Sequence, residues 1–567
     1  MTEKFEAGQP TDRADIEGSS RLTLWRRSAV SLLDDARSDP ARFMSFLVVS
    51  VASAAVALWL LDICRQQWFV ADEFDYFATG REYLATGREP LIFWLLAPHG
   101  EHTIVFTKLW FWILPDFVGY AHYEFYILPS VLAHLVVVAA IYRLTWISTA
   151  SRVMATGTAL VALAMGAGVG TLTYAGQFQY VGSVAVGLIV VILAVQSSGT
   201  RALVALIALS VLGTLNGTAF LFFAIAASIV YARRRLWREA FAVGAIAVGW
   251  ELTSRLVWAP HDPYQAQGLV QMLREGPAFA YAILDPAISR TLGDGHLSAA
   301  VLTALVLGTL ALISASPVSR RTAVSGWVVG TLAVAAILTM LGLVFGRLSA
   351  DIQLASTGGY SYLFLVSLLP IGGILLAHIA RSKAALLGVA GACVAISLVG
   401  VATISDYAAS LATWKVQGEH VMQTAAAELD AGMRTFPDQA PNPDTAPTVS
   451  QDQLRSLAAS GKLEAVIVGP EEVDQVSLNM QWRLGPPGQT TGVCSDLAAG
   501  QSFAVPVGAS VTILGLGSGS AVDLQYESSA AFRQFVPSSG AASLQTLSQR
   551  PVVGTVQTAS MRVCLPG

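Results

Sequence analysis

Charge is what this 567-residue chain has least of. Acidic and basic residues make up 13% of it, 38 and 34 respectively, where a soluble domain carries roughly 25%. With 54% hydrophobic residues and a mean hydropathy of +0.57, that scarcity excludes an ordinary soluble protein. The chain reads as a polytopic membrane protein. A net charge of -4 and the lack of any basic run exclude a protein that tracks phosphates along nucleic acid. No Gly-rich phosphate loop precedes a helix, and the polar connections are too short for a nucleotide-sugar domain. The first forty or so residues are polar and too acidic for a leader's n-region, so the first hydrophobic helix is expected to stay as an anchor.

Cysteine is scarce too, with four in the chain. Cys64 and Cys393 fall in or beside hydrophobic segments, where a lone thiol serves as a small apolar filler. Cys494 and Cys564 are the two in the polar C-terminal region and are expected to form a disulfide outside the membrane.

What is present is a series of hydrophobic segments near 43–62, 122–142, 153–172, 181–196, 201–215, 217–232, 239–258, 297–314, 323–346, 361–379 and 384–404. These are about eleven spans. Arg26, Arg27, Arg37 and Arg42 precede the first, which puts the N-terminus in the cytoplasm. Counting onward, Arg143, Arg201, Arg233-Arg234-Arg235 with Arg238, Arg320-Arg321, and Arg381 with Lys383 all fall inside. The apolar stretch Thr103 to Val118 is left out of the count. As a full span it would invert every later loop, so it is taken as a helix half-sunk in the outer interface.

Three regions follow. Residues 1–42 form a cytoplasmic N-terminus, disordered to about residue 20 and then an amphipathic helix on the membrane. Residues 43–404 form the transmembrane domain, with a long external loop at 63–121. Residues 405–567 form an extracytoplasmic α+β domain. It opens with a helix from His420 to Arg434, crosses a Pro-rich link, and from about residue 463 shows short strands such as Ala465–Val468, Val511–Leu514 and Met561–Val563. Such strands broken by Gly/Ser/Pro clusters predict a small β-sandwich.

The candidate chemistry lies in the long external loop. Asp72-Glu73-Phe74-Asp75 follows the first span, and His99-Gly100-Glu101-His102 follows fewer than thirty residues later. Ionisable groups at the membrane surface are costly to hold without partners and often mark function. Further along come Tyr174-Ala175-Gly176-Gln177-Phe178-Gln179-Tyr180 and Leu215-Asn216-Gly217. With the N-in first helix, the acidic external loop and the appended external domain, these motifs resemble the GT-C superfamily of membrane glycosyltransferases. The resemblance covers residues 43 to about 404. Thr103 stands where the family has an Arg after its Glu-His pair, and Lys108 is the nearby cation that could supply the charge.

The resemblance implies transfer of a sugar from a polyprenyl-phosphate donor to an envelope glycan, glycolipid or protein acceptor at the outer face. An alcohol is a poor nucleophile until a base takes its proton. Asp72 is the expected base in an inverting displacement, with Glu73 and Glu101 as the other catalytic candidates. Asp75, His99, His102, Lys108, Gln177, Gln179, Asn216, Arg255 and Arg347 are the expected substrate contacts, the cations answering charge on the departing phosphate. Arg81, Arg88 and Arg290 are further external cations. A divalent metal, magnesium or manganese, is the cofactor such a donor set would take, at Asp72, His99 and His102; zinc suits the same ligands. Bland alternatives stay open: solvated carboxylates past a helix end, a self-neutralising Glu251–Arg255 pair, and Trp482, Phe503, Tyr526 and Phe535 as core rather than a glycan platform. Two other functions compete, a lipid-linked glycan transporter or flippase and a non-catalytic glycan-binding assembly protein.

Overall fold

The computed structural model describes residues 39–567 apart from 77–79, 81–89, 101, 259–264, 267, 293–300, 302–303, 310–319, 350–357, 460–462, 464–468, 486–491, 508–509, 516–520, 527–528, 536–540, 549, 558–560 and 567. The N-terminal expectations, Glu101, Arg81, Arg88 and the strand at Ala465–Val468 lie outside the described residues.

Among the described residues, eight helices are long and apolar enough to cross a membrane. They begin with α1 (Pro40–Cys64), whose entry is fixed by Pro40 at its first turn and by Asp39, which caps the Arg42 amide and pairs with Arg152. Then come three short helices, α2 (Leu91–Leu96), α3 (Val105–Ile113) and α4 (Pro115–Val118). The stretch expected as an interfacial helix is therefore two short pieces, neither able to cross a core of about 30 Å. Helix α5 (Tyr123–Thr149) leads to α6 (Arg152–Leu163), a 3-10 turn at Gly166–Gly168, and α7 (Val169–Leu172). The third expected span is thus broken toward its C-terminal end. His134 donates from Nε2 to the Leu163 carbonyl that the break releases. Gly400 lies so close to the Ala164 carbonyl that no Cβ would fit.

Helices α8 (Phe178–Gln196), α9 (Thr200–Asn216), α10 (Ala219–Arg233) and α11 (Trp237–Trp258) continue the bundle. Two of these expected spans, α9 and α10, are short, with 17 and 15 residues. The external loop expected at 259–296 contains a 24-residue helix, α12 (Leu269–Leu292), which carries prolines 277 and 286. The expected span at 297–314 lies in part outside the described residues. Helices α13 (Arg320–Arg347) and α14 (Gly358–Ile379) precede the 48-residue α15 (Lys383–Asp430). The last span and the expected helix at 420–434 are therefore one uninterrupted helix, and a boundary at 404 falls inside it.

The ends of the bundle differ in kind. At one end Arg143 donates to Gln196, Arg234 reaches Ala194 and Ser197, and Ser325 donates to Ser148. These are the ends that the cation count places inside. At the other end meet Gln67, Tyr123, Tyr174, Asn216 and Lys415 with the acidic run.

Beyond α15, α16 (Gln451–Ala459) and α17 (Pro470–Met480) lead into nine strands among the described residues. These are β1 (Trp482–Gly485), β2 (Gly492–Leu497), β3 (Ser502–Val505), β4 (Val511–Gly515), β5 (Val522–Gln525), β6 (Phe532–Phe535), β7 (Ala541–Thr546), β8 (Val552–Val556) and β9 (Met561–Pro566). They form two antiparallel sheets, ordered β1-β7-β4-β9-β2 and β3-β8-β5-β6. Alternate residues of both sheets enter one core, including Trp482, Ile513, Val522, Phe535 and Val556, so the domain is a sandwich. Cys494 and Cys564 are directly paired in register on β2 and β9 and joined by a disulfide. Cys64 and Cys393 are buried free thiols. Trp482, Phe503, Tyr526 and Phe535 are buried core residues.

Candidate functional site

The acidic run is held in place by the aromatics around it. Residues 72–76 form a helical turn, entered through Ala71 at a φ of 48°. Phe69 lies just before it, with its ring edge-on to Tyr126, Tyr123 and Phe111 at centroid distances of 4.7, 5.3 and 6.3 Å. Trp68 packs on Phe74 at 5.1 Å. Each such ring pair contributes on the order of 1 kcal/mol beyond its buried area. These contacts turn the chain so that Phe74 and Tyr76 face the core while Asp72 and Asp75 do not.

The three carboxylates have three different surroundings. Asp72 is half exposed, with 53% of its side-chain surface open, and its Oδ1 stands 3.6 Å from His99 Nε2. Burial opposes its ionisation, but the facing His99, with Arg347 and His102 adding charge, holds its carboxyl below the usual range. Asp75 shifts the other way. Burial raises it, Asp72 adds to the rise, and the bond from Thr448 with the charge on His99 only partly offsets them. Glu73 is fully buried. Its carboxylate accepts from Tyr123 OH at 2.7 Å and from the amides of Gly176 and Val70 at 3.0 and 3.1 Å. Burial nonetheless pushes its carboxyl up, against the pull of Lys415 and these three donors.

His99 and His102 face each other through two reciprocal backbone bonds of 2.8 and 3.1 Å, which close a tight turn. The turn sends the two imidazoles to different places. His99 stacks edge-on against Tyr76 at 4.9 Å and points at Asp72. His102 meets Thr218 Oγ1 at 3.1 Å and Tyr180 OH at 3.4 Å. It thereby lines a cavity of about 230 Å³ whose wall also holds Tyr180, Arg255, Arg347 and Tyr360. Arg255 donates to Glu251 at 2.7 Å, four residues earlier on α11, so the self-neutralising pair forms and forms inside the cavity wall.

Among the described residues, a cluster whose ligand atoms lie within 4.8 Å of one another comprises Asp72, Asp75 and His99. The donor types suit a divalent ion. Asp75 replaces the expected His102 in this group, and Asp72 and Asp75 are already engaged by His99 and Thr448.

Other expected contacts turn inward. Lys108 donates to the carbonyls of Trp94 and Ala97 at 2.8 and 2.6 Å, closing the end of α2, and burial lowers its ammonium to about 8. Asn216 donates to the Phe178 and Gln179 carbonyls at 3.3 Å each, tying α9 to the start of α8. Gly217 approaches the Gln179 carbonyl so closely that a Cβ would stand 2.9 Å from it. Gln179 is buried, and the Gln177 amide lies against Gly359. The Tyr174–Tyr180 motif thus serves the acidic run through its backbone, at Gly176 N, as well as the cavity through Tyr180.

No family model and no curated protein matches this chain. Among solved structures, the chain is similar to ArnT from Cupriavidus metallidurans. The crystal structure in the apo state has a TM-score of 0.46 and 14% identity over 77% of this chain and 92% of that one. The crystal structure bound to undecaprenyl phosphate has a TM-score of 0.46 and 15% identity over the same shares. The archaeal oligosaccharyltransferase AglB from Archaeoglobus fulgidus, in complex with an inhibitory peptide and a dolichol-phosphate, has a TM-score of 0.36 and 12% identity. It is matched over 74% of this chain and 60% of its own.

Three residues at this end of the molecule escape a sequence search for a site. Tyr123 reaches Glu73 from 50 residues away, Lys415 stands behind it on the Tyr123 hydroxyl, and Thr448 reaches Asp75 from a Pro-rich link. Lys415 alone carries a signal, as a cation within a long stretch that is otherwise mostly apolar or small.

Proposed function

We propose that this chain is a membrane glycosyltransferase. In this reading it moves a sugar from a polyprenyl-phosphate donor to an envelope glycan, glycolipid or protein acceptor at the outer face. The observation that carries it is the Asp72–His99 pair, set beside a cavity whose wall holds His102, Arg255 and Arg347. A carboxylate kept ionised and half exposed can take the proton of an acceptor hydroxyl as its oxygen attacks the anomeric carbon. The bond from that carbon to the phosphate breaks on the opposite side, with inversion. The phosphate carries off the electron pair, and Arg347 answers its charge. Arg255, neutralised by Glu251, is suited to orient hydroxyls. A divalent ion on Asp72, Asp75 and His99, when bound, would supply further positive charge to a donor phosphate. The N-terminus is assigned to the cytoplasm and the sandwich to the outside, from the cationic ends of the bundle and the disulfide.

The test is transfer of radiolabelled sugar from a panel of polyprenyl-phosphate sugars in membranes, comparing wild type with Asp72→Asn at matched expression. Transfer by the wild type alone is expected. Equal transfer by both removes Asp72 as base. A flippase or a glycan-binding protein predicts no transfer from any donor and unaltered behaviour of the variant.

A further inference from the structure

We infer that Lys415 is a positioning residue for the proposed base. Through Tyr123 it balances the buried Glu73 carboxylate and so holds the backbone turn that presents Asp72.

Lys415 is fully buried on α15. Its ammonium donates to Tyr123 OH at 3.0 Å and to Gln67 Oε1 at 3.2 Å, with the Thr173 carbonyl at 3.5 Å. Tyr123 OH also accepts from the Ala175 amide at 2.9 Å and spends its own proton on Glu73. One hydroxyl thus stands between a buried cation and a buried anion, with both of its lone pairs and its hydrogen in use. Four segments meet there: residues 67–73, the start of α5, the turn at 173–176, and α15.

Asp72 lies inside the loop that this network closes. Glu73 Oε2 accepts from the Val70 amide, the Glu73 amide donates to the Val70 carbonyl at 3.1 Å, and the Phe74 amide donates to Ala71 at 3.1 Å. A residue flanked by Val70 and Glu73 has little freedom while those two are fixed. Ala71 sits at a positive φ that L-residues seldom adopt, and such a conformation persists only where the surroundings over-determine it. Withdrawing Lys415 leaves Glu73 as an uncompensated buried charge, which the turn can relieve by opening toward water.

The proposal takes the base from the proposed function, so its first readout is independent of chemistry. Asp72→Cys is introduced into the full-length protein, and its labelling by a charged maleimide is followed in the parent, Lys415→Met, Glu73→Gln and doubly substituted backgrounds. The native free thiols are buried. In folded Lys415→Met, labelling at position 72, half exposed in the parent, is expected to rise about two-fold as the turn opens locally. Glu73→Gln added to Lys415→Met removes both charges and should return the rate to near the parent's. Unchanged labelling in folded Lys415→Met overturns the proposal, as does a double variant no better than the single. Should Lys415→Met fail to fold, recovery of folding and of parent-like labelling in the double variant supports the pairing, and failure of the double variant overturns it. With residue 72 restored to Asp, Lys415→Met should lower kcat while leaving the donor KM in place. Loss of transfer in the wild type would sink the glycosyltransferase reading alone, leaving the labelling result intact.

Discussion

His99 Nε2 stands 3.6 Å from Asp72 Oδ1, and the carboxylate it faces is held below its ordinary range while Asp75, on the same turn, is pushed above it. The pair separates one ionised carboxylate from one raised carboxyl within four residues. His99→Gln should therefore let the Asp72 carboxyl rise. A base must be ionised to act, so the acid limb of the kcat/KM profile should move to higher pH in the variant. A limb that stays in place would take His99 out of the site.

Arg347 closes α13 at the cavity wall and adds to the charge that favours ionised Asp72. A charge-assisted hydrogen bond contributes about 1.5–3 kcal/mol. Arg347→Gln should raise the donor KM roughly ten- to hundred-fold, measured by titrating the lipid-phosphate sugar. An unchanged KM would place the phosphate elsewhere.

Lys108 donates to two carbonyls at the end of α2. Lys108→Met should cost about 1–3 kcal/mol of stability through those unsatisfied groups, with little change in donor KM among the molecules that fold. The pH dependence has a definite sign. Burial lowers the folded ammonium to about 8 from 10.5, so the unfolded chain binds more protons between those values. The wild type should gain stability relative to the variant as pH rises across that window, read by thermal unfolding in detergent.

The disulfide closes a separation of 70 residues across β2 and β9. Replacing Cys494 and Cys564 with Ser should destabilise the sandwich by about 2–5 kcal/mol, seen as earlier proteolysis of the C-terminal domain. A domain as resistant as the wild type would make the bond dispensable.

The apolar runs were legible because spans need length and lack of charge, and the cations marked their ends. The strands Val511–Gly515 and Met561–Pro566, the disulfide and the Glu251–Arg255 pair were legible for similar reasons: alternation, compartment and helical spacing all act locally. Asp72 and His99 could be expected near each other because one loop holds both. The partners of Glu73 could not. Its hydroxyl donor is 50 residues away, and the lysine behind that hydroxyl is a further 292 from Tyr123. The roles of Lys108 and Asn216 were hidden because both bond to backbone carbonyls, whose positions follow from the fold and leave no pattern in side-chain identity. The break after Leu163 was hidden because its compensation comes from His134 on another helix.

The uninterrupted α15 has a mechanical consequence. Its 48 residues make a rod about 70 Å long at 1.5 Å per residue, more than twice the thickness of a bilayer's hydrocarbon core. No break separates the apolar part of this helix from its polar end, so the rod is stiff along its whole length. A rotation of the rod's far end would turn the helical segment that carries Lys415, and with it the contacts to Tyr123 and Gln67.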